Sequence, residues 1–554
     1  MRRRKDKMMS KLKSSINFGI SKEVTCLPVL WHPAYRRREL ITGVCMEREN
    51  LSSRCEGKSP SNGDCKGEST DAWHGGGTSR SSEEVAVMAV ERRGSIVGPC
   101  RGEKLTSSGG IETDKAKPFS ISRQSVYAAY KKVSSNKGSG GVDGISMEAF
   151  ERDYKNHLYK LWNRMSSGSY IPPPVRLKEI TKKGGGVRPL GIPTIADRIG
   201  QTVVKELLEQ ELEPLFDENS YGYRPGKSAI EAVGKTREMC WKYDWVIDLD
   251  IKGFFDNIPH GLLMKAVRKH CKTRWMLLYI ERWLVAPLQK EDGTIVARTK
   301  GVPQGSVIGP LLANIYLHYS MDKWLRIYHP DCKFERYADD AVVHCKSQKR
   351  AEEVKGELEA RMFACGLELH PEKTKIVYCK DSNRQGDYPN VSFDFLGYSF
   401  KPRMAQNSKR KVWFTSWLPA VSNKAMKAMN EKLRGMSIFR ASGCTLQQLV
   451  EKLNPVLQGW INYYGKFYKT KLVSFMHNVN VKIATWARRK YKGLRSSEMK
   501  AIEWLHGVSQ RSPNLFAHWA IGAKPTVSDN KSRMTGDCHV RFRENLGAEM
   551  LGFT

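Results

Sequence analysis

The sequence predicts an α+β domain followed by an α-helical one. Three observations carry this expectation. Strand-like and helical patterns are mixed irregularly up to about residue 402, without the strand–helix alternation of a doubly wound sheet. From about residue 421 the pattern is helical, with Trp and Tyr interleaved among Lys and Arg. Residues 1–118 resemble neither part. They are rich in Ser, Gly, Arg and Lys and lack apolar periodicity, which predicts a disordered basic arm.

Taken in order, residues 124–134 read as a helix, stopped by the turn-forming Asn136-Lys137-Gly138-Ser139-Gly140-Gly141. Helical spacing of apolar residues recurs at 146–164, 196–216, 227–241, 259–285 and 349–366. Strand-like runs fit 175–181, 245–251, 334–337, 341–345, 374–379 and 393–400. The expected divisions are 1–118, 119–402, 403–500 and 501–554.

The 554 residues hold 92 Lys+Arg against 58 Asp+Glu, a formal charge of +34. Such a charge repels itself unless an anion is present. Nucleic acid is the commonest such partner, because neutralising phosphates releases counterions. A merely soluble basic protein and an acidic membrane surface are the weaker readings. No apolar run approaches the roughly 20 residues of a membrane span, and the basic start lacks a signal peptide's apolar core. The 13 cysteines are scattered without any CxxC pair, against a zinc site or a secreted disulfide framework. A cytoplasmic protein with reduced thiols and no membrane partner is expected.

Two segments hold the carboxylates suited to chemistry. In Val246-Ile247-Asp248-Leu249-Asp250-Ile251-Lys252-Gly253-Phe254-Phe255-Asp256, an apolar strand runs into acids and an aromatic pair. In Phe334-Glu335-Arg336-Tyr337-Ala338-Asp339-Asp340-Ala341-Val342-Val343, adjacent acids sit between two strand-like runs, where a tight hairpin is expected. In-line phosphoryl displacement can use two Mg²⁺ ions roughly 4 Å apart, held by carboxylates on neighbouring strands. An isolated Asp-Asp is usually turn chemistry. The flanking strands and the upstream acid weigh against that here.

Tyr337-Ala338-Asp339-Asp340 resembles the signature turn of reverse transcriptases, and Asp250-Ile251-Lys252-Gly253-Phe254-Phe255-Asp256 resembles the companion motif of the group II intron type. The resemblance implies a right-hand polymerase: fingers and an antiparallel palm sheet, then a helical thumb. It implies a catalytic triad of Asp250, Asp339 and Asp340, with Asp250 and Asp339 as direct ligands of two Mg²⁺ ions (Mn²⁺ substituting) and Asp340 in support. Phe255 is placed under the sugar of the incoming nucleotide. Asp248 and Asp256 keep bland readings, as strand-edge and turn residues.

Further blocks narrow the resemblance. Lys182-Lys183-Gly184-Gly185-Gly186-Val187-Arg188-Pro189 is a basic, glycine-rich turn before a strand. Bare backbone and cations suit a triphosphate, although a flexible hairpin tip explains the glycines alone. The family analogy puts Lys182 and Arg188 over the nucleotide's phosphates, and the block continues to Asp197-Arg198 and Gln201. Ser220-Tyr221-Gly222-Tyr223-Arg224-Pro225-Gly226-Lys227 matches another block, with Arg224 and Lys227 as template contacts. Gly301-Val302-Pro303-Gln304-Gly305-Ser306 opens a long, specific one that implies Gln304 beside the nucleotide or the primer–template pair. Gly366-Leu367-Glu368-Leu369-His370-Pro371-Glu372-Lys373 and Phe395-Leu396-Gly397-Tyr398 resemble the last palm blocks, with Lys373 supporting phosphates.

Leu453-Asn454-Pro455-Val456-Leu457-Gln458-Gly459-Trp460-Ile461-Asn462-Tyr463-Tyr464 resembles the maturase, or thumb, signature. Basic helices with interleaved aromatics suit RNA backbone contact and stacking. Lys466, Lys469, Lys471, Arg488, Arg489 and Lys490 are the candidates, although an aromatic core under a solvated basic face gives the same pattern. Residues 501–554 lack the paired CxxC and His-Asn-His patterns of the family's nuclease, so a DNA-binding appendix or a structural cap is expected there. The resemblance implies an RNA-directed DNA polymerase acting on dNTPs, an RNA template and a DNA primer. It also implies a partner intron RNA that the protein helps to splice, and a target DNA that receives the copy. A non-enzymatic maturase and a reverse transcriptase recruited to host defence are the alternatives; the intact triad and the intact maturase block, respectively, speak against them.

Overall fold

In a computed structural model of the chain, the described residues are 117–136, 138–181, 187–407 and 410–526. The arm expected to be disordered lies, apart from its last two residues, outside them. Helix α1 (Arg123–Ser135) starts where the Ser122 hydroxyl accepts from the Gln124 amide. The single helix expected over 146–164 is two, α2 (Met147–Arg152) and α3 (Tyr154–Ser167). They part at Asp153, whose φ of −130° and ψ of 35° are not helical. Its carboxylate accepts from Asn156 at 2.8 Å, a local bond that competes with the helix. Strands β1 (Val175–Thr181) and β2 (Val187–Ile192) form an antiparallel hairpin. Helix α4 (Ile195–Leu212), capped by Thr194, follows, then α5 (Ala229–Lys242), which opens with a Ser228–Glu231 capping box.

Strand β3 (Trp245–Asp250) leads into α6 (Phe254–Asn257), α7 (His260–His270) and α8 (Arg274–Val285). The helix expected over 259–285 is interrupted because Cys271 and Thr273 are extended, with ψ of 116° and 108°. Short strands β4 (Leu288–Gln289) and β5 (Ile295–Val296) extend the first hairpin into a sheet of order β2-β1-β4-β5. After α9 (Gly309–Leu317) and α10 (Lys323–Tyr328) come β6 (Lys333–Tyr337), β7 (Asp340–Cys345), α11 (Gln348–Ala364) and β8 (Lys375–Tyr378). The central sheet, β6-β7-β3-β8, is antiparallel throughout.

Both faces of that sheet are covered. Trp245, Ile247, Leu249, Ala341, Val343 and Cys345 point into the main core against the Ala351, Val354, Leu358, Met362 stripe of α11. Val246, Val342 and Val377 point the other way, into a second cluster with Phe393, Phe395, Tyr398 and Trp417. Asp250 and Asp340 sit at the ends of β3 and β7, with Asp339 in the turn beside them.

The run expected over 393–400 splits into β9 (Phe393–Phe395) and β10 (Tyr398–Gln406), and β10 pairs along its full length with β11 (Trp413–Val421). Strand β10 therefore runs through the division expected at 402, and helices begin only at α12 (Asn423–Gly435). Helices α13 (Leu446–Tyr464), α14 (Lys469–Lys490), α15 (Glu498–Arg511) and α16 (Ala517–Ala520) then build a separate core. The division expected at 500 also falls inside a helix. Leu505, Phe516, Trp519 and Ala523 are buried with Leu453, Ile483 and Trp486. Asn480 donates to the Ala523 carbonyl at 2.9 Å and accepts from His518 and Trp519, while Asn454 donates to the Leu515 carbonyl at 3.0 Å. Residues 501–526 are thus part of the helical core. Among the described residues no helix is long and apolar enough to cross a membrane.

Candidate active site

Strand β3 and the β6–β7 hairpin bring the three acids to one edge of the central sheet. Asp250 lies directly opposite Asp340 across the ladder, and Tyr337 is opposite Asp340 on the other side. Only Ala338 and Asp339 remain to make the turn. Ala338 takes φ 59°, a left-handed conformation that costs energy for any residue with a Cβ and persists only where the surroundings impose it.

Those surroundings are a buried polar network. Arg336 is fully buried. Its guanidinium donates to the Ala338 carbonyl at 2.9 Å, to Asn314 Oδ1 at 3.0 Å and to both oxygens of buried Asp322 at 2.8 and 2.5 Å. Asn314 in turn donates to the Gly222 carbonyl at 2.7 Å. Gly222 backs directly onto the turn: a Cβ there would stand 2.3 Å from the Ala338 amide nitrogen and 2.9 Å from the Tyr337 carbonyl carbon. Neither backbone atom can yield without moving Asp339. Gly222→Ala is therefore expected to lower nucleotide incorporation roughly ten- to a hundredfold, because an ångström-scale misplacement of reacting groups has about that effect. Steady-state kinetics of the variant check this, and unchanged kcat would show that the turn tolerates the shift.

The acids are poorly neutralised. Like charges facing across a ladder destabilise it. Burial raises the Asp339 carboxyl and, with Asp250 and Asp339 as neighbours, pushes Asp340 up to about 7. Asp248, two residues before Asp250 on the same sheet face, is pushed up to about 8 by burial and then by Asp340, with Lys375 opposing. Protonation in the folded state stabilises the fold fully below the ordinary carboxylate value of roughly 3.9, and that contribution is lost as pH rises through 8. Asp248→Asn keeps the shape without the charge. In chelator its unfolding midpoint should fall less steeply from pH 5 to 9 than that of the wild type, because Asp340 still titrates in both, with a gap on the order of a few kcal/mol at pH 9. Parallel curves would contradict that assignment.

A cation already visits the site, since Lys373 Nζ lies 2.7 Å from Asp250 Oδ2. Among the described residues no group of three or more His, Cys, Asp or Glu converges to hold an ion by itself. The donor set fits hard divalent ions that take one or two carboxylates and draw further oxygens from substrate phosphates. Asp250 and Asp339 would hold them, with Asp340 behind. The Leu396 backbone opposes the rise of the Asp340 carboxyl. The Leu396 carbonyl accepts from Tyr463 Oη at 2.8 Å, so the helical region props the turn at 396–397 from behind.

The other expected residues divide. Arg188, on β2 opposite Ile180, is exposed, and its charge acts on Asp339 and Tyr223. Lys182 lies outside the described residues. The loop 301–306 is packed backbone to backbone on β2: the Gln304 carbonyl accepts from Gly191 at 2.7 Å, and a Cβ on Gly305, at φ 113°, would meet the Gly191 oxygen at 2.3 Å. The Val302 amide donates to the Phe255 carbonyl at 2.7 Å, which ties Phe255 to the loop that carries Gln304. Gln304 Nε2 itself reaches Asp256 at 3.4 Å. Buried Gln201 accepts from Ser306 at 3.0 Å and Val307 at 2.9 Å, and so fixes that loop.

Arg224 is a correction. Its side chain is 6% exposed, pairs with Glu213 at 2.8 Å and donates to the carbonyls of Asp217 and Ser220. It closes its own loop, with its guanidinium turned inward. Lys227 donates to the Glu218 carbonyl at 3.0 Å and stays partly accessible. Lys466 and Lys469 are exposed between α13 and α14, and Lys471 donates to Asn423 at 2.9 Å. Arg488, Arg489 and Lys490 each reach a backbone carbonyl, of Arg495, Phe439 and Ser442, with donors to spare. Arg336, Asp322, Asn314 and Asp248 had no functional reading from the sequence. Arg336 stood in view beside Tyr337, but its burial depends on α9, α10 and the 219–222 loop.

Two family models match the chain: "Reverse transcriptase (RNA-dependent DNA polymerase)" over residues 180–400 and "Group II intron, maturase-specific domain" over 426–503. The group II intron-encoded protein LtrA of Lactococcus lactis subsp. cremoris is 30% identical over 280 residues, 49% of this chain and 46% of LtrA. Protein YkfC of Escherichia coli (strain K12) is 32% identical over 327 residues, 50% of this chain and 80% of YkfC. The match thus spans under half of LtrA. A solved telomerase chain from Candida albicans, in complex with a TWJ fragment of telomeric RNA, overlays at TM-score 0.36 and 14% identity over 67% of each chain, too distant to carry weight.

Proposed function

The chain belongs to the group II intron reverse transcriptase/maturase family, and from that premise we propose that it is an RNA-directed DNA polymerase that also binds and helps to splice its own intron RNA. The observation that carries the polymerase reading is the register of β3 against the β6–β7 hairpin. It aligns Asp250 with Asp340 and presents Asp339 on a turn held from behind, with the Arg188 charge nearby and Lys373 on Asp250. Divalent-metal dependence goes with the family, and hard carboxylate oxygens favour Mg²⁺, with Mn²⁺ able to replace it. When bound, the ions polarise the phosphoryl oxygens and the attacking 3′-hydroxyl. The protein's own residues do the rest. Asp250 and Asp339 would hold the ions. Arg188 and Lys373 draw the triphosphate in, Phe255 and Gln304 line the nucleotide's sugar and base pair, and the buried Arg336 network keeps the turn still.

The RNA partner rests on the maturase-domain match and on the basic helical region around Lys466, Lys469, Lys471, Arg488, Arg489 and Lys490. The copy would enter a target DNA at a primer supplied from elsewhere, with the protein acting as a cytoplasmic ribonucleoprotein. Purified protein freed of RNA should extend oligo(dT) on poly(rA) with dTTP and Mg²⁺, and EDTA should abolish the product. Soluble wild type that binds intron RNA but makes no product would leave a maturase without polymerase activity.

A further inference from the structure

The helical region contains a cleft of about 320 Å³ lined by Leu433, Arg434, Met436, Phe439, Arg440, Lys482, Thr485 and Arg489. None of these residues belongs to the acidic site, and of them only Arg489 is among the RNA-contact candidates. Its walls are the C-terminal end of α12, the turn at 436–440, and the face of α14 that carries Lys482, Thr485 and Arg489 at helical spacing. The turn is fastened to α14: Trp486 donates to the Ala441 carbonyl at 3.2 Å, Arg489 to Phe439 at 3.1 Å and Lys490 to Ser442 at 3.2 Å. The cleft is therefore a formed feature, held on one side by buried Leu433 and Phe439.

Its charge is one-sided. Arg434, Arg440, Lys482 and Arg489 converge on it, and no carboxylate is among the residues that line it. Lys482 is half-buried, and burial together with Arg434 lowers its affinity for its own proton. Four cations around a small apolar-floored cleft that no carboxylate lines repel one another, and an anion inside would relieve that. The volume is at the lower end for a small-ligand site, and the mix of guanidinium groups with an aromatic and a thioether wall suits a phosphate joined to a planar base.

We propose that this cleft takes one unstacked nucleotide of single-stranded RNA, with its phosphates against Arg434, Arg440, Lys482 and Arg489 and its base against Met436 and Phe439. The assignment rests on the RNA-binding reading above and gives it a location. The test uses the full chain, a fluorescent 12-nucleotide mixed-sequence RNA, and binding isotherms from 50 to 300 mM KCl. Single-stranded binding loses about 0.7 in log–log salt slope per phosphate released from contact. Arg440→Gln/Lys482→Gln is expected to flatten the slope by about 1.4 and to weaken binding at least tenfold at 100 mM salt. Arg440→Lys/Lys482→Arg, which keeps the charge, should bind within threefold of wild type and guards against misfolding. Thr485→Phe fills the cleft with every cation kept and should weaken binding at least fivefold. Polyglutamate of equal charge should displace the RNA poorly. The cleft is refuted if the charge-removing variant binds as wild type does, or if it weakens binding while Thr485→Phe does not, since a plain surface patch would behave so. Efficient displacement by polyglutamate would assign it to an acidic protein partner instead. Absence of RNA binding by wild type would overturn the RNA-binding reading itself.

Discussion

Asp339→Asn is expected to reduce primer extension at least about a thousandfold while leaving the protein folded. The substitution keeps the side chain's shape and removes one charged oxygen donor from the turn. Metal ions supply several kcal/mol of stabilisation to the developing charge in phosphoryl transfer, and about 1.4 kcal/mol corresponds to tenfold in rate. Losing a direct ligand should therefore have an effect on this scale. The folded state should not suffer. Burial already disfavours the Asp339 carboxylate, and Asp250 adds repulsion. Removing the charge should leave the metal-free unfolding midpoint at pH 8 unchanged or slightly higher. A variant that loses activity because it unfolds would show the opposite. Extension within tenfold of wild type would remove Asp339 from the metal site.

Arg336→Met should lower stability by about 3–5 kcal/mol, because it strands Asp322 as a buried charge without its partner. Both side chains are fully buried, so solvent does not soften the loss. Arg336→Met/Asp322→Leu should recover most of that stability, since a buried pair replaced by apolar groups of similar volume is often neutral. The double variant should not recover activity. The Ala338 carbonyl loses its donor at 2.9 Å, and the left-handed turn that carries Asp339 loses its restraint. Incorporation is expected to stay at least a hundredfold down in kcat with little change in KM for dTTP. Denaturant unfolding beside single-turnover kinetics separates the two effects. Recovery of both together would mean that Arg336 serves stability alone.

The acids were legible in the sequence because two local patterns, an apolar run ending in Asp250 and two runs flanking Ala338-Asp339, each fix their own geometry. Period-2 alternation placed β3, β6 and β7 to within a residue or two. The sequence was less informative wherever a tertiary partner decides. Asp153 and the stretch 271–273 break helices whose apolar spacing continues unbroken, because local side-chain bonds and extended residues are invisible to periodicity. Strand β11 has no distinctive alternation of its own and exists because β10 pairs with it along its full length. The roles of Arg336 and Arg224 were hidden for a related reason. An arginine reads as a surface cation until the carboxylate or carbonyls that bury it are known. Residues 501–526 carried no motif, yet Asn454 and Asn480 bind them into the core.

The most direct measurement is anomalous diffraction from crystals of the protein with an oligo(dT)–poly(rA) duplex, a non-hydrolysable thymidine triphosphate and Mn²⁺. Two peaks roughly 4 Å apart, in contact with the carboxylates of Asp250 and Asp339 and with the triphosphate, are expected. Lys373 should by then have left Asp250 for a phosphate oxygen. A bound duplex and nucleotide with no metal on either carboxylate would contradict the assignment of these acids as the catalytic centre.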